Sequence, residues 1–299
     1  MNPIQGSASD AILKTFLKAN AFLGETDRFR RLDRLEAYYR GLQHDHKRHD
    51  WDGNSLDLSP MFAGSVASMT PIMPGYVQIR FRRPDVKFPL NRQVVRRFTD
   101  LLFSHTRKPQ FEVEDDADTE DYLSTLINAS NFFRQIKRAR NHGGAMGSAC
   151  VIFYFQNGKP TFRAINPKFC TPVWADEDAR ELQALKIEYK VPREEFQKES
   201  GKPKTIWYVY RRLITDQSDT IWPLTPIHEQ KGLAEFDDEK ASTVIHGYGF
   251  CPAEWAYNVE DDDNDYDGAP DADGTYDLMD AIDILWSQAN KGTKSNMDP

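Results

Sequence analysis

The stretch RARNHGGAMGSACVIFYFQNG (138–158) decides how this chain is read. A basic segment runs through Gly143, Gly144 and Gly147 into a solid apolar run. Glycine-rich turns beside a helix and a strand are where nucleotide-binding proteins cradle phosphates. A Walker A loop, however, follows a strand and ends in Gly-Lys-Ser/Thr, so that the lysine reaches the phosphates and the hydroxyl binds magnesium. Here the order is reversed: the glycines follow a helical pattern and precede a strand. Gly147-Ser148 is followed by Ala149, with no lysine. GxGxxG spacing fails as well. The three glycines therefore read as a helix stop and a close-packed turn.

Upstream the patterns are helical. Residues 9–42 give two helices, the first with Ala11, Ile12, Phe16, Leu17, Ala19 and Phe22 on one face. The second follows the cap-like ETD (25–27) and carries Phe29, Leu32, Leu35 and Tyr39. A polar loop spans 43–60, and Pro71, Pro74, Pro84 and Pro89 keep 61–90 irregular or extended. PLNRQVVRRFTDLLFSH (89–105) is a strongly amphipathic helix with Asn91 as its expected cap. Residues 119–143 are helical with a break near Ser130-Asn131.

Downstream the period changes to two. CVIFYFQNGKPTFRAIN (150–166) is a hairpin through Asn157-Gly158, a dipeptide suited to a type I′ turn. QALKIEYKV (183–191) is a further strand, 205–224 a second hairpin, and 242–259 an extended segment around Pro252. An acidic loop (260–274) leads into a closing helix, 275–292. Helices, then antiparallel hairpins, then a long helix make the fold class α+β. The expected layout is an N-terminal helical segment and polar loop (1–60), an α+β domain (61–274) and the start of a long helix (275–299).

Composition bounds the rest. The 299 residues are 39% apolar and 12% aromatic, enough for a sizeable core. No apolar run reaches the ~20 residues that span a bilayer. The first thirty residues carry charge throughout and lack a signal-peptide core. Cys150, Cys170 and Cys251 are odd in number and far apart, against a disulfide framework or a zinc ribbon. Net charge is −8, unevenly placed. Residues 1–150 hold 22 Lys+Arg against 18 Asp+Glu (+4), and 151–299 hold 16 against 28 (−12). This balance argues against tight general gripping of nucleic acid, though not against DNA passing close by ungripped.

Three constellations could carry chemistry. His44, His46 and His49, with Asp45 and Asp50, hold ligands for zinc or nickel, but Lys47 and Arg48 would repel a cation. Asp263, Asp265, Asp267 and Gly268 occupy positions one, three, five and six of an EF-hand loop. Position twelve is Gly274 instead of glutamate, so a solvated acidic loop is the expectation. His246, in His246-Gly247-Tyr248-Gly249, lies among strand residues and reads as a bend. No nucleophile elbow and no HExxH is present. No catalytic, cofactor-binding or metal residue is assigned.

The order of segments then becomes informative. In NRQVVRRFTDLLFSHTRKPQFEVEDD (91–116) a helix is followed by Lys-Pro and a short strand. In 122–176 paired helices lead through the glycine turn to the hairpin, then Asn-Pro and a Pro-Val strand end. HGYGFCPAEWAYNVE (246–260), the acidic loop and TYDLMDAIDILWSQANKGTKS (275–295) complete the series. Over most of 26–297 this order resembles the N-terminal part of tailed-bacteriophage portal proteins: the wing, and the closing helix that opens the stem.

The resemblance implies a structural subunit without enzymatic activity or cofactor. It implies a ring, typically dodecameric, at one capsid vertex, through which double-stranded DNA is packaged and ejected. Implied partners are other copies of the chain, the terminase large subunit, major capsid and scaffolding proteins, and head–tail connector proteins. No membrane is implied, and the expected location is the virion, with assembly in the host cytoplasm. Portal proteins continue into a second stem helix, clip, tunnel loop and crown, whereas this chain stops at Pro299, as a truncated or split gene product or a short portal would. Two alternatives stand beside this reading: a phage-encoded metal-dependent enzyme using His44, His46 and His49 or the Asp263–Asp267 group, and a monomeric virion adaptor. The missing lysine predicts that a filter-binding titration with ATP shows no saturable binding.

Overall fold

A computed structural model describes residues 26–44, 47–49, 55–57, 87–104, 112–114, 116–175, 181–196, 203–227, 236–261 and 266–297. The helix expected at 9–22, the irregular stretch 61–86, and His46, Asp263 and Asp265 lie outside the described residues. In chain order the elements are α1 (Asp27–Arg40), β1 (Lys47–His49), β2 (Ser55–Asp57), α2 (Leu90–Leu102), α3 (Ala117–Ala129) and α4 (Phe132–Met146). They continue with β3 (Ser148–Gln156), β4 (Lys159–Ile165), β5 (Cys170–Trp174), β6 (Leu182–Phe196), β7 (Pro203–Thr215), β8 (Ser218–Ile221), β9 (Thr225–Pro226), β10 (Ser242–Ile245), β11 (Ala253–Tyr257) and α5 (Tyr276–Met297). Every described strand pairing with a defined register is antiparallel, and the fold is α+β. The chain forms two compact units, each built from separated segments: 1–26, 110–139 and 149–256 in the first, and 27–109, 140–148 and 257–299 in the second.

In the first unit, α3 and α4 are separate helices because Ser130-Asn131 interrupts the ladder. The Ser130 hydroxyl donates to the Ile127 carbonyl at 2.7 Å and accepts from the Phe132 amide at 3.1 Å. Asn131 then pairs with a strand: its Oδ1 accepts from Phe162 N at 3.0 Å and its Nδ2 donates to Phe162 O at 2.9 Å. Gln135, one helical turn on, accepts the Ala164 amide at 2.9 Å. Asn131, just before α4, and Gln135 within it thus fix the register of β4. The hairpin β3–β4 turns through Asn157 (φ 52°) and Gly158 (φ 73°), as a type I′ turn requires.

The second sheet of this unit has the order β10-β8-β7-β6-β5, with β9 also on β7. Its spine is the β6–β7 pairing, which runs from Ala184↔Thr215 to Phe196↔Pro203. Val173, Ala184, Val209, Leu213, Trp222 and Phe236 form its core. Arg211 lies between Val209 and Leu213 on the same buried face. Its guanidinium sits 3.7 Å over the Phe236 ring and is held by Glu188, so the buried charge is both stacked and paired.

In the second unit, Leu32, Leu35, Tyr38, Ala145, Met146, Ala272, Tyr276 and Met279 form one core. Helix α1 starts at Asp27 and ends at Arg40, and both charges suit the macrodipole. Gly41 (φ 72°) closes it, with the Leu42 amide on the Ala37 carbonyl at 2.8 Å. The expectation that Asn91 caps α2 is corrected: the cap position is Pro89, without a side-chain hydrogen bond, and Asn91 is fully buried in the first turn. The loop expected at 43–60 contains the paired strands β1 and β2.

The helix stop is also corrected. Gly143 and Gly144 lie inside α4, and only Gly147 terminates it, at φ 91°. A side chain at Gly144 would meet the Asp271 carboxylate at 2.3 Å and Val95 at 3.0 Å. A Cβ at Gly147 would fall 1.8 Å from the Gly268 carbonyl oxygen. The two positive-φ glycines of this stretch are therefore expected to respond differently. Gly158→Ala meets nothing within 4 Å and should cost about 1 kcal/mol of backbone strain, whereas Gly147→Ala adds a backbone clash and should cost roughly 3 kcal/mol or more. Thermal unfolding of both variants checks the order.

Candidate assembly surface

The glycine turn and the acidic loop, read from the sequence as separate features, meet in the second unit. The C-terminal carbonyls of α4 need donors that the helix cannot supply. Gly144 O accepts from Asp271 N at 2.9 Å, and Gly147 O from Asn258 N at 2.8 Å. Gly268 N reaches the buried Ser148 hydroxyl at 3.2 Å. The turn is thus filled by the chain's own backbone.

Two of the loop's described carboxylates, Asp267 and Asp271, are committed too, which corrects the expectation of a solvated loop at those two positions. Asp267 is fully buried and receives Arg28 through both Nε (2.7 Å) and Nη2 (2.8 Å), with Arg31 Nη2 at 3.1 Å. Asp271 is gripped by Arg140 at 3.0 and 3.1 Å and by Asn258 Nδ2 at 3.0 Å. Forked guanidinium pairs are the geometry in which a desolvated carboxylate is stabilised. Asp267, position five of the calcium-like series, has its oxygens turned to arginine.

From this loop springs α5. Its inward side carries Tyr276, Met279, Asp283 and Ser287, all buried, with Asp280 half-buried beside them. Asp283 accepts Gln43 Nε2 (2.8 Å), His44 Nε2 (2.9 Å) and the Phe88 backbone amide (2.8 Å). Asp280 accepts the Tyr38 hydroxyl at 2.7 Å and lies 3.7 Å from His44. Burial, more than the neighbouring Asp283, raises the Asp280 carboxyl above the usual carboxylate range. Burial likewise raises the Tyr38 and Tyr276 phenols. The sequence shows Asp280 and Asp283 only as two acids in the first half of the closing helix. It gave no sign that they are anchors, because the residues they hold lie some 240 positions away.

The outward side of α5 is apolar. Leu278 is 62% exposed, Leu285 67% and Trp286 57%, with Ala281 and Ala289 exposed and Ile282 half-buried. Trp286 meets Phe88 edge-on at 5.8 Å. Helix α5 thus packs inward by Tyr276 and Met279 together with buried polar groups, and leaves a second apolar stripe facing outward.

The remaining candidates separate. His44 is committed to Asp283, while His49 lies on β1 and is not brought to it by any described contact. Among the described residues, no group of three or more His, Cys, Asp or Glu is disposed to hold a metal. His246, directly after β10, donates its backbone amide to Gln217 O at 2.9 Å and its ring stacks on Tyr248 at 4.7 Å. All three cysteines are free and buried, and burial pushes the Cys251 thiol up to about 12. Among the described residues no helix is long and apolar enough to cross a membrane.

The geometry defines an α+β chain whose last helix is anchored by polar groups beside Tyr276 and Met279 and turns an apolar stripe outward. A family model described as phage portal protein, SPP1 Gp6-like, matches residues 23–291, and the chain belongs to that family of phage portal proteins. No curated protein matches the chain.

The Asp280 site yields a signed prediction. A carboxyl raised in the folded state contributes stability below its unfolded value that is lost as pH rises through the folded one. Asp280→Asn keeps an acceptor for Tyr38 and cannot ionise. It is expected to melt no lower than the wild type at neutral pH, and to lose any advantage near pH 4. Differential scanning calorimetry across that range checks it, and a variant that melts lower at neutral pH contradicts it.

Proposed function

We propose that the chain is a structural subunit of the portal ring at the capsid vertex, forming the channel for packaging and ejection of double-stranded DNA. In this reading residues 61–274 correspond to the wing and 275–299 to the start of the stem. Its partners are other copies of itself, in a ring expected to be dodecameric, the terminase large subunit, major capsid and scaffolding proteins, and head–tail connector proteins. It acts without catalysis or cofactor, in the virion and, during assembly, in the host cytoplasm.

The observation that carries the reading, beside family membership, is the outward apolar side of α5. Leu278, Leu285 and Trp286 remain in water although the helix has buried aspartates and a serine available on its other side. A continuous apolar strip on a folded chain marks a contact surface. The net charge of −8 supports the same reading, since a channel that lets DNA slide should not hold phosphates tightly.

Ile282→Asp with Leu285→Asp tests it. Wild-type protein should self-associate with rising concentration in sedimentation velocity. The double variant should weaken that association by roughly an order of magnitude or more while keeping its melting temperature. A strictly monomeric wild type, with the double variant destabilised as a core mutant would be, would move the reading to a monomeric virion adaptor.

A further inference from the structure

We infer that copies of this chain associate head to tail, with α2 of one copy docked on α3 of the next. This rests on the ring reading above and names two faces that it leaves open. Helix α2 presents Phe98, Leu101 and Leu102, 48%, 55% and 56% exposed, at i, i+3 and i+4. Arg92, Arg96 and Arg97 are exposed on the same helix, against one exposed acid, Asp100. The outward face of this helix is apolar with a basic border.

Helix α3 is its opposite in sign. Asp118, Asp121, Tyr122, Thr125 and Ala129 are all exposed and recur at spacings of three and four, so they share one face. Tyr122 is 65% exposed at its centre. The helix carries Asp118, Glu120 and Asp121 and no lysine or arginine, and exposed Glu112, Glu114 and Asp116 precede it. Asp116 also caps it, taking the Thr119 amide at 3.0 Å, and the Thr119 hydroxyl and amide hold its carboxyl below the usual range. The acidic face is thereby fixed on a formed helix.

Charge complementarity selects the occupant. Two α2 faces brought together oppose arginines, and two α3 faces oppose aspartates; like charges in contact are penalised. The basic-bordered apolar face fits only its unlike partner, and a second copy of the chain supplies one. A contact between unlike faces is heterologous, so it propagates around a closed ring or along a filament instead of stopping at a two-fold dimer. Tyr122 and Phe98 give each face an aromatic centre, with arginine available to lie over the tyrosine ring.

The test uses the full chain with two charge-reversed variants, Arg96→Glu/Arg97→Glu and Asp118→Lys/Asp121→Lys. The first has both faces acidic, the second both faces basic. Each alone should associate about tenfold or more weaker than wild type in sedimentation velocity, and the two mixed in equal amounts should assemble again in alternation. Recovery in the mixture also shows that both variants are folded. Should a variant lose its native circular dichroism, wild-type association across about 0.05 to 0.5 M NaCl decides: it should weaken as salt rises, and a flat response overturns the pairing. Variants that assemble as wild type does, or a natively folded pair that fails to assemble when mixed, overturn this pairing and leave the ring reading standing. A wild type that stays monomeric overturns both. Duplex DNA retained by wild type and lost in Arg96→Glu/Arg97→Glu, with assembly unchanged, assigns the basic face to nucleic acid and also overturns the pairing.

Discussion

The second unit depends on one close approach, that of Gly147 to Gly268. A carbonyl 1.8 Å from where a side chain would begin leaves room for backbone alone. With the two glycines in contact, the last carbonyls of α4 are satisfied by amides of the acidic loop. The same contact brings Asp267 and Asp271 to Arg28, Arg31 and Arg140. A carboxylate with no exposure cannot be left without a cation, so the approach and the ion pairs require each other. Together they fix the point from which α5 departs.

That departure point sets how α5 divides its residues between an inward and an outward side. A helix held by hydrophobic burial must turn its leucines inward. Here Tyr276 and Met279 share the inward side with a buried carboxylate that has three donors and a half-buried one on a tyrosine, so not every apolar residue is needed there. The remaining ones are then free to face outward. This arrangement suits the proposed ring subunit, whose contact surface would have to exist before the partner arrives. Polar anchors are directional, so they fix the pose of the helix more sharply than a greasy seam would.

The first unit shows the opposite economy of means. Its long β6–β7 ladder is covered on one face by Val209, Leu213, Trp222 and Phe236, and the charged Arg211 is absorbed there by stacking and by Glu188. Its link to the preceding helices joins apolar contacts, Ala139 with Ala149 and Ala164 and Phe132 with Phe162, to directional polar ones: Asn131 and Gln135 act as surrogate strand neighbours for β4.

Local signals settled a good part of this protein from its sequence. The type I′ dipeptide Asn157-Gly158, the break at Ser130-Asn131, the period of α1 and the period-two strands are properties of neighbours in the chain. Neighbours determine local backbone conformation. The segment order that these signals create was enough to suggest the portal family. Tertiary structure alone decided what each charged or small residue was for. Asn91 has the chemistry of a cap but is buried inside α2, because the turn before it is set by Pro89. Gly143 and Gly144 read as a stop, yet α4 continues through them, since Gly144 is needed where Asp271 and Val95 crowd the helix. Asp267 and Asp283 look like solvated acids in sequence. They are buried anchors because their arginine, glutamine and histidine partners arrive from more than 230 residues away, and no local pattern encodes a contact across that distance.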